Sequence, residues 1–69
     1  MSFQRRKILR VLRDRDFVII REGKNHTILK DDDGNLAILP RHTRINRLTA
    51  RSIATSAKIP WAKFIREVR

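Results

Sequence analysis

Apolar positions recur along this chain with two alternating kinds of spacing. Ile8, Val11 and Leu12 fall at i, i+3 and i+4, and Leu9 widens the stripe. That spacing predicts an amphipathic helix over residues 4–13, with Arg5, Arg6, Arg10 and Arg13 on its remaining surface. Asp14 to Asp16 break the pattern. Phe17-Val18-Ile19-Ile20 is then a short β-branched run, a strand by composition. Glu22-Gly23-Lys24-Asn25 reads as a turn into a second strand over residues 26–30. Asp31-Asp32-Asp33-Gly34-Asn35 has the residue types of a hairpin turn. Leu36 to Leu39 form a third strand, closed by Pro40. These connections are too short for parallel crossovers, so an antiparallel meander is expected.

Beyond the third strand, residues 41–48 read as a basic connection. Thr49 is the expected N-cap of a second helix. Ala50, Ile53, Ala54 and Ala57 would give it a narrow small-residue face able to pack close to a sheet. Ile59-Pro60 ends it, and Pro60 suits the first position of a third helix. There Trp61, Phe64, Ile65 and Val68 form another apolar stripe. The expected fold is α+β, in the order α-β-β-β-α-α, with a three-stranded antiparallel sheet and the helices on one face. The opposite face is then open, or covered by a partner. The 69 residues hold no repeat, linker or low-complexity tract, so one domain over residues 1–69 is expected.

Charge narrows the function. Lysine and arginine total 17 against 7 acidic residues, a formal net charge of +10. Such a field draws in polyanions, of which nucleic acid is the leading class. The basic residues do not oppose a lipid-facing stripe, which argues against a membrane surface as partner. No apolar run approaches the ~20 residues that span a bilayer. Residues 1–7 are basic but lack an apolar core and a small-residue cleavage site, so no signal peptide is expected. With no cysteine there is neither a disulfide framework nor a thiolate zinc site. That composition suits a reducing compartment, and a cytoplasmic location is expected. Asp31-Asp32-Asp33-Gly34 lacks the downstream glutamate of a calcium loop, and two histidines alone do not make a zinc site. No metal or other cofactor is expected.

The order of these motifs resembles the HicA toxin family, the small mRNA-cleaving partners of HicB antitoxins. The similarity runs from Ile8 to Phe64. It rests on the helix ending near Phe17, the turn Gly23-Lys24-Asn25-His26, the hairpin Asp33-Gly34, the segment Pro40-Arg41-His42 and the helical Thr49-Ala50-Arg51-Ser52-Ile53. Lys58 stands where the family commonly has a helix-ending glycine. The resemblance implies the fold of double-stranded RNA-binding domains. It also implies a metal-independent endoribonuclease of a type II toxin–antitoxin pair, with His26 as the catalytic residue and a HicB-like acidic antitoxin as partner.

The residues support this chemistry on their own terms. RNA carries its own nucleophile, the 2′-OH. Cleavage needs that proton removed and the leaving 5′-oxygen protonated, and an imidazole can do either. His26 follows a glycine turn that lets the backbone pass close to a phosphate. Lys24, two residues earlier, shares a face with it if the strand extends that far. The competing reading is a half-buried strand histidine that only hydrogen-bonds. His42 is either a complementary acid or base, or a phosphate-binding and loop-orienting residue; its basic and neutral surroundings favour the second. Arg41, Arg44, Arg47 and Arg51 form a cationic ridge suited to gripping an RNA backbone, and Arg44, Arg47 and Arg51 share a face if the helix begins early. Trp61 and Phe64 read as core or interface before base-stacking, and the terminal stripe could serve a homodimer or antitoxin contact. Two alternatives remain open. One is a non-catalytic RNA-binding module of the same fold. The other is a ribonucleoprotein subunit assembling through Trp61, Phe64 and Val68.

Overall fold

The computed structural model describes residues 2–69. Its elements run β1 (Ser2–Gln4), α1 (Arg5–Asp14), β2 (Val18–Glu22), β3 (His26–Lys30), β4 (Leu36–Pro40), β5 (Arg44–Asn46), α2 (Arg47–Ser56) and α3 (Trp61–Val68). The fold is α+β. Strands β2, β3 and β4 make the expected antiparallel meander, in that spatial order. In β3 and β4, Thr27, Leu29, Ala37 and Leu39 are buried, while His26, Lys30, Leu36 and Ile38 are exposed. Successive side chains point to opposite faces of a strand, so one face lies against the helices and the other is open. The β2–β3 register slips between Ile19 and Arg21, a bulge on an edge strand.

Each helix buries the stripe its spacing indicates. Ile8, Val11 and Leu12 of α1, Ala50, Ile53 and Ala54 of α2, and Phe64 and Val68 of α3 join Leu29, Ala37 and Leu39 in one core. Burying a large aliphatic or aromatic side chain contributes about 1.5–3 kcal/mol. The small face of α2 lets it lie close over β4. Both α1 and α2 end in left-handed turns. Asp16 has φ 67° and Lys58 has φ 62°. Phe17 N–H donates to Leu12 O at 3.0 Å, and Ile59 N–H donates to Ala54 O at 2.9 Å, which closes the last turn of each helix over an apolar residue. Lys58 thus carries a side chain in a conformation that glycine adopts at lower cost.

Several boundaries differ from the sequence pattern. The first helix occupies Arg5–Asp14 and the first meander strand Val18–Glu22, so Glu22 belongs to the strand and not the turn. The larger correction concerns residues 41–48, read as a connection. They contain β5, which pairs with β1 in a two-stranded antiparallel ribbon: Ser2 with Asn46, Phe3 with Ile45, Gln4 with Arg44. Phe3 and Ile45 are buried, which explains the pairing. The ribbon runs directly into α1 and α2, bringing their N-termini together. Helix α2 therefore begins at Arg47. Its cap is Asn46, whose Oδ1 accepts from Thr49 N–H at 2.8 Å, so Thr49 is inside the first turn and is not the cap. Pro60 caps α3 from outside, with Trp61 the first helical residue.

Candidate functional site

His26 opens β3 on the exposed face of the sheet, opposite Pro40. The preceding turn is tight. Gly23 N–H donates to His26 O at 2.8 Å, and a Cβ on Gly23 would lie 3.0 Å from that same oxygen. A glycine there sets the close approach that aims the strand. Arg41 N–H donates to Asn25 O at 3.1 Å and ties the turn to the end of β4. A small cleft of about 280 Å³ surrounds the imidazole, lined by Arg21, Gly23, Lys24, Asn25, His26 and Ile28. Lys24 and His26 thus share one cleft, although Lys24 lies in the turn before the strand. Among the described residues the imidazole makes no hydrogen bond, so it is exposed to solvent and to any ligand in the cleft.

Arg21 was not singled out by the sequence pattern. It reaches this cleft because the bulge in β2 pairs it with Ile28, on the open face. A regular ladder from Ile19 onward would have placed it differently, and only the alternation of the partner strand could have hinted at it.

Beneath His26 runs a polar chain that holds the end of the sheet to α1. Thr27 is fully buried. Its Oγ1 accepts from Arg5 Nη2 at 2.6 Å and donates to Glu22 Oε1. Arg5 Nε also donates to Pro40 O at 3.1 Å. Arg41 Nη1 lies 2.9 Å from Glu22 Oε1. The Thr27 hydroxyl, followed by the charges of Arg41, Arg5 and Arg13, holds the Glu22 carboxyl below its ordinary range and outweighs desolvation. The β3–β4 turn closes similarly. Asp31 Oδ1 accepts from Asp33 N–H and Asn35 N–H, and Oδ2 accepts from Asn35 Nδ2. The Asn35 side-chain amide and these backbone donors lower the Asp31 carboxyl. Among the described residues no three histidine, cysteine or acidic side chains gather as metal ligands would.

The arginines read as one ridge occupy three settings. Arg41 is committed to Glu22 in an exposed ion pair. Arg44 lies on β5, not on a helix, and its Nε donates to Ser2 Oγ at 3.1 Å. Arg47 and Arg51, one turn apart on α2, sit 5.9 and 5.6 Å from the Trp61 ring centroid. Trp61 is itself stacked on Phe64 at 5.7 Å and meets the Phe3 ring edge-on at 6.1 Å. Each guanidinium gains roughly 0.5–1 kcal/mol from such a ring and loses freedom. His42 is exposed just beyond the ladder, with no side-chain hydrogen bond among the described residues.

Arg44 and Arg47 line a separate basic cleft of about 430 Å³ with Lys7 and Arg69. Arg44 also borders a cleft of about 330 Å³ with Arg5 and Arg6. Neither includes His26. Phe64 and Val68 are buried in the chain's own core, so they are unavailable for stacking bases or for an assembly face. Among the described residues no helix is long and apolar enough to cross a membrane. Neither a protein-family model nor a curated protein matches the chain.

Proposed function

We propose that this chain is a HicA-like toxin of a type II toxin–antitoxin pair, a cytoplasmic endoribonuclease of double-stranded-RNA-binding-domain type that cleaves mRNA. The observation that carries the reading is the exposed His26 imidazole sharing one cleft with the cations Lys24 and Arg21. Lys24 and Arg21 hold the scissile phosphate. The 2′-oxygen attacks the adjacent phosphorus and the bond to the 5′-oxygen breaks, leaving a 2′,3′-cyclic phosphate. His26 takes the 2′ proton while water protonates the departing oxygen, or His26 supplies that proton while water takes the 2′ proton. The arginines at positions 41, 44, 47 and 51, with His42, bind the backbone outside the reacting phosphate. A HicB-like acidic antitoxin silences the protein, and the net charge of +10 favours such a partner.

The test is cleavage of a defined RNA in EDTA by wild type and by His26→Ala, with thermal melts to show both are folded. The expected loss is about 10²- to 10⁴-fold. Wild-type cleavage by a folded His26→Ala removes His26 from the chemistry. A second reading, a non-catalytic RNA-binding module, draws on the separation of the His26 cleft from the clefts of Arg44 and Arg47. It is favoured by intact RNA in both reactions together with a mobility shift that fades in salt.

A further inference from the structure

Strand β4 is an edge strand, and its outward side faces a groove, not solvent alone. Asp31 N–H to Asn35 O and Arg41 N–H to Asn25 O bracket the β3–β4 ladder, both at 3.1 Å. Hydrogen-bonded pairs alternate in an antiparallel ladder, so Thr27 with Leu39 and Leu29 with Ala37 are the pairs between them. The backbone groups of Leu36, Ile38 and Pro40 therefore point away from β3. Pro40 has no N–H, and its carbonyl is taken by Arg5. That leaves the N–H and C=O of Leu36 and of Ile38 as the open edge, and no turn, loop or side-chain hydrogen bond reaches them among the described residues.

These two residues line the largest of the described grooves, about 600 Å³, between β4 and α2. Its opposite wall is Thr49, Ser52, Ile53 and Ser56. The Leu36 and Ile38 side chains are 44 % and 52 % exposed, so the open edge continues into an apolar band on the bare sheet face. The bulge on β2 protects the other edge of the sheet, whereas on β4 only Pro40 at its end does so and Leu36 and Ile38 stay open.

We propose that β4 receives an extended segment of an acidic partner protein, which adds a fourth strand to the meander between β4 and α2. One set of its alternating side chains is apolar and lies beside Leu36 and Ile38. The other set is acidic and meets the hydroxyls of Thr49, Ser52 and Ser56, with Arg51 bordering the adjoining cleft. The charge of +10 selects this occupant over a second copy, which would carry the same charge onto the same edge. Backbone pairing supplies affinity and the alternate side chains supply selectivity. This docking mode stands apart from the reading of His26 as catalytic.

The probe is a capped peptide of alternating glutamate and valine, titrated into the ¹⁵N-labelled full chain. Its control is a block peptide of the same composition and charge. The alternating peptide is expected to shift and protect the Leu36 and Ile38 amides and to bind about tenfold tighter than the block peptide. Two further peptides carry N-methyl groups on every valine or on every glutamate, and one of them is expected to lose binding because its protein-facing donors are gone. Ile38→Pro removes an outward N–H without breaking the β3 ladder and is expected to weaken binding about tenfold. Equal binding of the block peptide, or of both N-methylated peptides, overturns the proposal. So does concentration-dependent protection of Leu36 and Ile38 in the protein alone, which would make a second copy the occupant.

Discussion

Thr27→Val tests whether the polar chain under His26 supports the fold. The substitution conserves volume at a fully buried site, so no cavity opens. It deletes a hydroxyl that accepts from Arg5 at 2.6 Å and donates to Glu22. A hydrogen bond to a charged group contributes about 1.5–3 kcal/mol when its partner stays buried. Glu22 is exposed and Arg5 only half-buried, so both recover some solvation. The expected net loss is about 1–2 kcal/mol. In a domain of this size each kcal/mol moves Tm by about 4–8 °C, so calorimetry should show a drop of about 4–16 °C. A second readout is specific to the contact. The Thr27 hydroxyl is the leading cause of the lowered Glu22 pKa, so the Glu22 carboxyl resonance in Thr27→Val should titrate closer to its ordinary 4.5. Thr27→Ser keeps the hydroxyl and should keep the low titration. An unchanged Tm in Thr27→Val, together with an unmoved Glu22 titration, refutes the role assigned to this chain of contacts.

Glu22 and Asp31 are both depressed in the folded chain, so their contributions are present above the ordinary values of 4.5 and 3.8 and are lost as pH falls through the lower folded values. Urea midpoints should therefore decline below about pH 4.5, and Glu22→Gln should flatten part of that decline; equal slopes in both proteins would count against it. Lys58→Gly relieves a left-handed side chain at φ 62° and should raise Tm by about 4–8 °C, for about 1 kcal/mol, without changing RNA affinity; an unchanged or lower Tm contradicts this. Trp61→Ala removes the ring that braces Arg47 and Arg51 but no charge, so RNA affinity at fixed salt should fall while the slope of log affinity against log salt stays the same. Arg47→Ala should instead reduce that slope by about one, and identical slopes for Arg47→Ala and wild type would mean Arg47 contacts no phosphate.

The meander and the three helices were legible because each rests on local signals. The stripe Ile8-Val11-Leu12, the β-branched run after Phe17 and the Asp-Gly turn at positions 33 and 34 need no knowledge of distant residues. The ribbon did not announce itself. Ser2-Phe3-Gln4 and Arg44-Ile45-Asn46 each contain one apolar residue, which is too little for a pattern. Only their pairing across the length of the chain buries Phe3 and Ile45 together. Thr27 was equally silent. A threonine in a strand is ordinary, and its role depends on Arg5 arriving from another element.

The same ribbon explains why Arg44, Arg47 and Arg51 do not share one helical face. At positions 44, 47 and 51 the spacing fits a single helical face, and a helix starting early would have aligned all three. Pairing with β1 holds residues 44–46 extended, so the helical period begins only at Arg47. Asparagine outranks threonine as an N-cap, and that preference at Asn46 was the available cue. Leu48, in that first turn, is apolar yet 81 % exposed, so the apolar pattern does not mark where the helix starts. Once the start is fixed, Arg47 and Arg51 fall over Trp61, Arg44 turns to Ser2, and Arg41 is left on the sheet side with Glu22. Charge that is continuous in sequence is thereby divided in space. The cation that joins Lys24 and His26 in their cleft is Arg21, a residue no linear run of arginines would have nominated.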